Sequence, residues 1–321
     1  MGNRTHMNIG IDMMGGDFAP LEAVKGLQLY LSQHPLAATV FCIGDEAQVN
    51  PLLEEYKLTT PNIQTIHAPE VIGYHEHPTK ALKEKQKSSI VIGFHLLATG
   101  KIDAFISAGN TGAMLVGSMF IVKAIEGVLR PTIAAIVPKI NGGAGLILDV
   151  GLNVDCKPEQ LNQFAILGSL YSHYILNISD PKIGLMNVGE EEGKGDLLCQ
   201  ATYPLLKENK QIHFIGNIEG RDVFTDKADV MICDGFSGNI ILKMAESFYD
   251  VAEQRGLHHD SYMQRFHYEN YGGTPVLGVA KPVIIGHGIS SAVAFKNMFL
   301  VAEKMVEADI CGKMKESFSS L

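Results

Sequence analysis

Seven times along this chain an apolar, strand-like run ends in a cluster of Gly, Asn and Asp just before a helical pattern. The seven are IGIDMMGGD (9–17), AFISAGNTGA (104–113), LILDVGLNVD (146–155), IGLMNVGEEEGKG (183–195), FIGNIEGRD (214–222), VMICDGFSGN (230–239) and VIIGHGISSA (283–292). Alternation of short apolar strands with helices predicts an α/β fold. In an open α/β sheet, ligands bind in the crevice beyond the carboxyl ends of the strands. The seven turns are therefore expected to line one rim and to converge on one pocket. Gly- and Asn-bearing turns that open helices suit an anion such as phosphate.

Strand patterns at 7–12, 39–44 and 62–67 alternate with helical ones at about 20–33, up to Lys57, and over 78–99, which reads as one long helix. Two places break the alternation: TIAAIVP (132–138) meets AGLILDV (144–150) across Asn141-Gly142-Gly143, and TPVLGV (274–279) meets PVIIG (282–286). Short links of this kind signal hairpins. The expected fold is thus three-layered and doubly wound, with a mixed, mostly parallel sheet. Residues 7–321 read as a single α/β catalytic domain, and the opening MGNRTH (1–6) as a cloning scar. A helical pattern from about Ile240 to Glu253 leads into the polar, His-bearing stretch 255–270, expected as a helical excursion near 245–270. A long helix over 291–317 closes the chain.

Composition narrows the function. With 46% hydrophobic and 19% charged residues the chain can fill a large core. It has no apolar run near the roughly 20 residues of a membrane span and no secretory signal pattern, so a cytoplasmic protein is expected. Five scattered cysteines without a CxxC pair argue for reduced thiols and against a zinc site. A formal net charge of -9 argues against nucleic acid and requires a local basic patch for any acidic partner. GxGxxG after the first strand, GxxxxGK[ST], HExxH and GxSxG are all missing, and no cofactor or metal is expected.

Among the turns, Gly109-Asn110-Thr111-Gly112 opens a strongly apolar helix pattern and is the phosphate-binding candidate; the alternative is that Asn110 or Thr111 only caps that helix. Lys194 stands between two glycines near a strand end, where a cation can swing into the crevice. Asn217 and Arg221 share the next turn, and Arg221 either forks phosphate oxygens or pairs with its acidic neighbours. Asp234 and Asn239 repeat the pattern, as Asp12, Asp17, Asp149 and Asn153 do in theirs. His287 is a candidate acid or base, or a hydrogen-bonding residue. Lys80, Lys83 and Lys87 are expected on one helix face as a basic stripe.

With these turns in hand, the chain resembles the bacterial phosphate acyltransferase family. The resemblance is carried by MGGDFAP (14–20), APEVIG (68–73), SAGNTGA (107–113), DVGLNVDCKPEQL (149–161), GEEEGKG (189–195), GNIEGRD (216–222), CDGFSGN (233–239) and YGGTPVLG (271–278), in that order. It implies a fold like that of phosphotransacetylases and isopropylmalate-type dehydrogenases, a homodimer, and transfer of a fatty acyl chain from acyl carrier protein to inorganic phosphate for phospholipid synthesis. It also implies peripheral work at the inner membrane face, alongside a downstream membrane glycerol-3-phosphate acyltransferase. The sequence departs from the family pattern at Met13, usually a small residue, and over 255–270, which is shorter and more polar here.

For that reaction the Asn110-Thr111-Gly112 turn and Lys194 are expected to hold phosphate. Asn217, Asn239 or Arg221 would orient the carbonyl or its oxyanion, and Asp234 or His287 would tune a proton. Direct attack by phosphate needs no cysteine. The helix at 113–125, with Met114 and Met119, is a candidate wall for the acyl chain. The Lys80/Lys83/Lys87 stripe and the Arg255/Arg265 neighbourhood compete as carrier-protein docking sites. Three other functions fit the same features: a phosphotransacetylase-like enzyme using acyl-CoA, a dehydrogenase on a related fold, and a non-catalytic scaffold that binds carrier protein.

Overall fold

The computed structural model describes residues 6–34, 38–257 and 259–319. Of the six residues read as a scar, the first five lie outside the described residues, as does His258 of the excursion. The chain expected as one domain divides into two compact units, one of residues 1–125 and 269–312, the other of 126–268 and 313–321.

In chain order the first unit begins with β1 (Met7–Asp12), α1 (Leu21–Gln33), β2 (Ala38–Gly44), α2 (Glu46–Glu55) and β3 (Ile63–His67). It continues through α3 (Pro78–Glu84), α4 (Ser89–Ala98), β4 (Ala104–Ser107) and α5 (Thr111–Gly117). The second unit holds β5 (Thr132–Pro138), β6 (Ala144–Leu148), α6 (Pro158–Tyr174), β7 (Lys182–Met186), α7 (Leu197–Glu208), β8 (His213–Ile218), β9 (Val230–Ile232) and α8 (Gly235–Gln254). The chain then returns to the first unit with β10 (Thr274–Leu277), β11 (Val283–Ile285) and α9 (Ala292–Glu307), before α10 (Ile310–Ser319).

The first unit orders its strands β3-β2-β1-β4-β11-β10. All neighbours are parallel except the β10–β11 hairpin, where Thr274 faces Ile285. Ile9, Ile11, Val40, Cys42, Phe105 and Ile284 are fully buried, the near-continuous apolar signature of strands covered on both faces. On one side α1 packs on α9, where Tyr30 stacks on Phe299 with ring centroids 4.8 Å apart. α4 lies against β1, β2 and β4, and its Phe94 meets Phe105 edge-on at 5.2 Å.

The second unit orders its strands β5-β6-β9-β7-β8. The β5–β6 pair is the expected antiparallel hairpin, and β6, β9, β7 and β8 run parallel. Both sheets are mixed and mostly parallel with helices packed on them, as the alternation required.

Several expected elements are divided. The helix read over 78–99 is broken between Glu84 and Ser89, because buried Ser88 caps α4 through Val91 N–H. The closing helix is broken at Ala308-Asp309, where Asp309 takes a left-handed φ of 47°. The helix read over 113–125 is α5 followed by a π-helical turn, Ser118–Lys123. The stretch 255–270 follows the end of α8. Its described part contains 3-10 turns, and Phe266 anchors it among Phe224, Phe248 and Tyr262. Among the described residues no helix is long and apolar enough to cross a membrane.

Candidate active site

In the first unit, parallel pairing of β1, β4 and β11 puts three of the Gly-rich turns at one strand edge. Asp12 ends β1 and is buried. It accepts Met14 N–H at 3.0 Å and the Ser107 hydroxyl at 2.7 Å. Burial pushes its carboxyl above 3.8, against the lowering pull of Ser89, Ser107 and the Met14 and Gly15 amides. Gly15 is required by packing, since a Cβ there would lie 2.5 Å from Asp12 Oδ2 and 2.6 Å from Gly109 N. Tyr74 donates its hydroxyl to the Ala108 carbonyl at 3.0 Å, fastening the loop after β3 onto the same edge.

The turn 109–112 is fixed rather than open. Asn110 caps α5 through Ala113 N–H at 2.9 Å, and its amide donates to the Gly73 carbonyl at 2.8 Å and to those of Tyr74 and Glu76 at 3.3 Å. Gly109 N–H donates to Ser107 Oγ at 3.0 Å. The carboxamide and the Gly109 amide are thus engaged. That leaves the Asn110 backbone amide and those of Thr111 and Gly112, at the first two positions of the helix, as the donors this turn presents. His287 follows β11, and its carbonyl accepts the Ser290 hydroxyl at 2.6 Å.

Lys80 and Lys83 are exposed on α3, where Lys80 stands 3.9 Å from Glu84. Lys87 lies beyond the end of α3, so the three lysines do not share one helix face as expected; the break before Ser88 is the cause.

In the second unit the parallel strands bring four turns to one edge. Asp149 and Asn153 follow β6, Asp234 and Asn239 follow β9, Asn187 to Asp196 follow β7, and Glu219 to Asp222 follow β8. Asp149 is fully buried and accepts four bonds, from the amides of Gly151, Leu152 and Asn153 and from the Asn153 side chain, at 2.5–3.0 Å. Asn239 donates to the Val150 carbonyl at 3.1 Å, which ties the start of α8 to that turn. Asp234 caps α8, taking both the amide and the hydroxyl of Ser237. Gly238 touches the Asp149 carbonyl so closely that no side chain fits.

The cations of this edge differ in how firmly they are held. Lys227 bridges Glu190 at 2.6 Å and Asp222 at 2.7 Å, and Arg221 pairs with Glu219. Lys207 holds Glu192 at 3.0 Å. Lys194 stands 4.0 Å from Glu191, with both side chains more than half exposed. Asn217 is buried and donates to the Glu191 carbonyl at 2.8 Å, so it positions the Lys194 turn from beneath. Arg265 donates to the carbonyls of Lys139 and Gly143, which engages it in the β5–β6 hairpin, whereas Arg255 is exposed at the end of α8. Glu190, Glu219 and Asp222 bring carboxylate oxygens within 4.8 Å of one another, and Lys227 and Arg221 balance them.

A cavity of about 250 Å³ opens between the starts of α7 and α8, lined by Asn187, Asp196, Asp234 and Ser237 together with Cys199 and Cys233. The sequence assigns neither thiol a role in the reaction, and nothing local distinguishes Cys199 from a core cysteine. Burial pushes the Cys199 thiol up to about 12 and Cys233 well above its ordinary value. Neither supplies a thiolate at neutral pH.

A family model described as "Fatty acid synthesis protein" matches residues 7–254. A phosphate acyltransferase from Dictyoglomus turgidum is 41% identical over 98% of each chain, and one from Chlorobaculum tepidum is 43% identical over 92% of this chain and 96% of its own. Among solved structures, a phosphotransacetylase from Streptococcus pyogenes superposes with a TM-score of 0.66 at 18% identity over 95% of both chains. A branched-chain phosphotransacylase from Enterococcus faecalis gives 0.63 at 14% identity over 94% of this chain and 99% of its own. At those identities the two structures establish the fold alone.

Proposed function

This chain belongs to the fatty acid synthesis protein family, and from that premise we propose that it transfers a fatty acyl group from acyl carrier protein to inorganic phosphate. Full-length kinship to phosphate acyltransferases supports the acyl transfer and the phosphate acceptor. The observation that carries the chemistry is the strand edge of the second unit, where one loosely held cation, Lys194, stands among anchored amides, carboxylates and protonated thiols.

Phosphate oxygen attacks the thioester carbonyl, a tetrahedral oxyanion forms, and the C–S bond breaks to release the carrier's thiol. Phosphate is partly dianionic near neutral pH, so the protein has to supply position and positive potential more than a strong base. Within the first unit we assign phosphate binding to the Thr111 and Gly112 amides, and within the second we assign charge stabilisation to Lys194. Asn217 and Asn239 act as positioning residues, each through a turn carbonyl it holds. Arg221 and Asp234 serve the same turns through their pairings, and His287 is left as the candidate proton carrier. With both cavity thiols protonated, the acyl group passes directly to phosphate without an acyl-cysteine.

The test is acyl phosphate formation, trapped as a hydroxamate with hydroxylamine, from palmitoyl-carrier protein and from palmitoyl-CoA. Faster turnover of the carrier-bound donor is expected; equal or better use of the CoA donor would replace this reading with a phosphotransacetylase-like one. Lys194→Ala is expected to cost about 10²–10³ in kcat, the scale of losing one preorganised charge-stabilising group. Its pairing with exposed Glu191 is too loose to matter for stability, so unfolding should be unchanged.

A further inference from the structure

A second, larger cavity lies wholly within the first unit. It is an open groove of about 540 Å³ between α3, α4 and the α5/π-helical segment. Its lining is mostly apolar, with Leu82, Val91, Val116, Phe120 and Ile121 at its heart and Lys83 at its margin. Phe120 is 72% exposed, an unusual position for a large aromatic ring. The π-helical turn at Ser118–Lys123 shifts the angular position of the residues after Gly117, and such turns are frequent at functional sites.

The groove adjoins the turn assigned to phosphate. Pro78, at the start of α3, packs so closely on Gly112 that a Cβ there would strike its ring, and Thr79 is the next lining residue. Val116, Phe120 and Ile121 follow from Gly112 along one helical segment. The distance from Gly112 to Ile121 is about 13.5 Å at the rise of a helix. Extended chain advances about 1.2 Å per bond, so that length accommodates about eleven bonds of an alkyl chain. The volume falls within the range of small-molecule pockets.

We propose that this groove holds the fatty acyl chain of the substrate, with the thioester carbonyl at the Thr111–Gly112 end and the methyl end beside Phe120 and Ile121. The inference rests on the acyl-transfer reading above and adds to it the residues that measure chain length. The groove draws on the 113–125 segment expected as a candidate wall, through Val116, Phe120 and Ile121, while Met114 is fully buried and Met119 is not among the lining residues.

The experiment has two readouts. In turnover, kcat/KM measured over C4 to C16 donors should rise by about twofold per carbon up to C10–C12 and then level, because full burial of a methylene is worth about fourfold and the groove is half open. Val116→Trp narrows the groove near its head and should lower kcat/KM for C14 and C16 at least tenfold more than for C4. Phe120→Asp, at an exposed position that does not threaten folding, should act in the same direction. In binding, cis-parinaric acid fluorescence should report an apolar site in the wild type that Phe120→Asp weakens at least fivefold, a readout independent of turnover.

The proposal is overturned if both variants leave the chain-length profile unchanged. It is equally overturned if Phe120→Asp lowers affinity for acyl-free carrier protein by the same factor as for every acyl form, since the groove would then hold a carrier helix. Dissociation of an oligomer by Phe120→Asp with an unaltered profile would assign the groove to a second copy of the chain. A wild type that makes no acyl phosphate yet binds parinarate in a Phe120-dependent way would refute the reaction and keep the chain-binding groove.

Discussion

Asp149→Ala should be the most damaging single change on the strand edge of the second unit. The carboxylate is fully buried and organises the turn after β6 by itself: Oδ1 accepts Gly151 N–H at 2.8 Å and Leu152 N–H at 2.9 Å, and Oδ2 accepts Asn153 N–H at 3.0 Å. The Asn153 amide, also bonded to Oδ2, keeps a second acceptor in the Pro131 carbonyl at 2.8 Å. Removing the carboxylate therefore orphans three backbone amides. At about 1–3 kcal/mol for each unsatisfied buried group, with water reaching one of them, the loss is about 2–6 kcal/mol. That is a large part of the roughly 5–15 kcal/mol by which a domain is stable. Asp149→Asn keeps one accepting oxygen and turns an NH₂ toward the other donors, so it should lose about half as much. Urea unfolding followed by far-UV circular dichroism should rank wild type above Asn and Asn above Ala, with equal m-values. Activity should fall with stability, because Val150 and Asn153 carbonyls anchor Asn239 and Gly235 at the start of α8. If Asp149→Ala stays within about 1 kcal/mol of wild type, the accounting of donors is wrong.

Asp12 supplies a pH test: burial raises its folded-state value above 3.8, so its contribution is complete below that value and is lost as pH rises through the folded one. Urea melts of wild type minus Asp12→Asn should therefore fall with rising pH and then level, and a difference that grows with pH refutes the direction. The Lys83→Glu/Lys87→Glu pair should raise the apparent KM for acyl carrier protein by about three- to tenfold at low salt and less at high salt, whereas unchanged kinetics would make these lysines plain solvated surface. Cys233→Ala and Cys199→Ser should keep most of kcat, and iodoacetamide at pH 7 should spare both thiols; an acyl-cysteine recovered by mass spectrometry would rule out direct transfer.

The sheet architecture was legible because it rests on local signals. Apolar runs of strand length mark β1, β4, β6, β7 and β9, and the short Gly- and Pro-bearing links reverse direction at the two hairpins. Helix continuity was less legible. The helices read over 78–99 and 291–317 run on across Ser88 and across Asp309, yet a hydroxyl cap at one and a left-handed residue at the other divide them. The π-helical turn after Gly117 leaves no mark in a sequence pattern, since it changes hydrogen-bond spacing without changing which residues are apolar. It nonetheless decides which side chains reach the groove.

At the candidate site, the sequence offers candidate residue types, and the fold decides which of them remain available. Asn110 resembles a phosphate ligand in SAGNTGA, but its carboxamide holds the loop 73–76, from 34 to 37 residues away in sequence. Arg221, Lys227 and Arg265 carry the same formal charge as Lys194, but carboxylates or carbonyls close by already neutralise or orient them. Lys194 differs for a backbone reason. It lies between Gly193 and Gly195, the latter at φ 93°, in a turn held from below by Asn217 through the Glu191 carbonyl and by Asn187 through the Lys194 carbonyl. The backbone is pinned while the side chain stays half exposed with only a 4.0 Å pairing. A cation delivered on a fixed backbone without a competing close carboxylate is the arrangement that places charge on a developing oxyanion at little reorganisation cost.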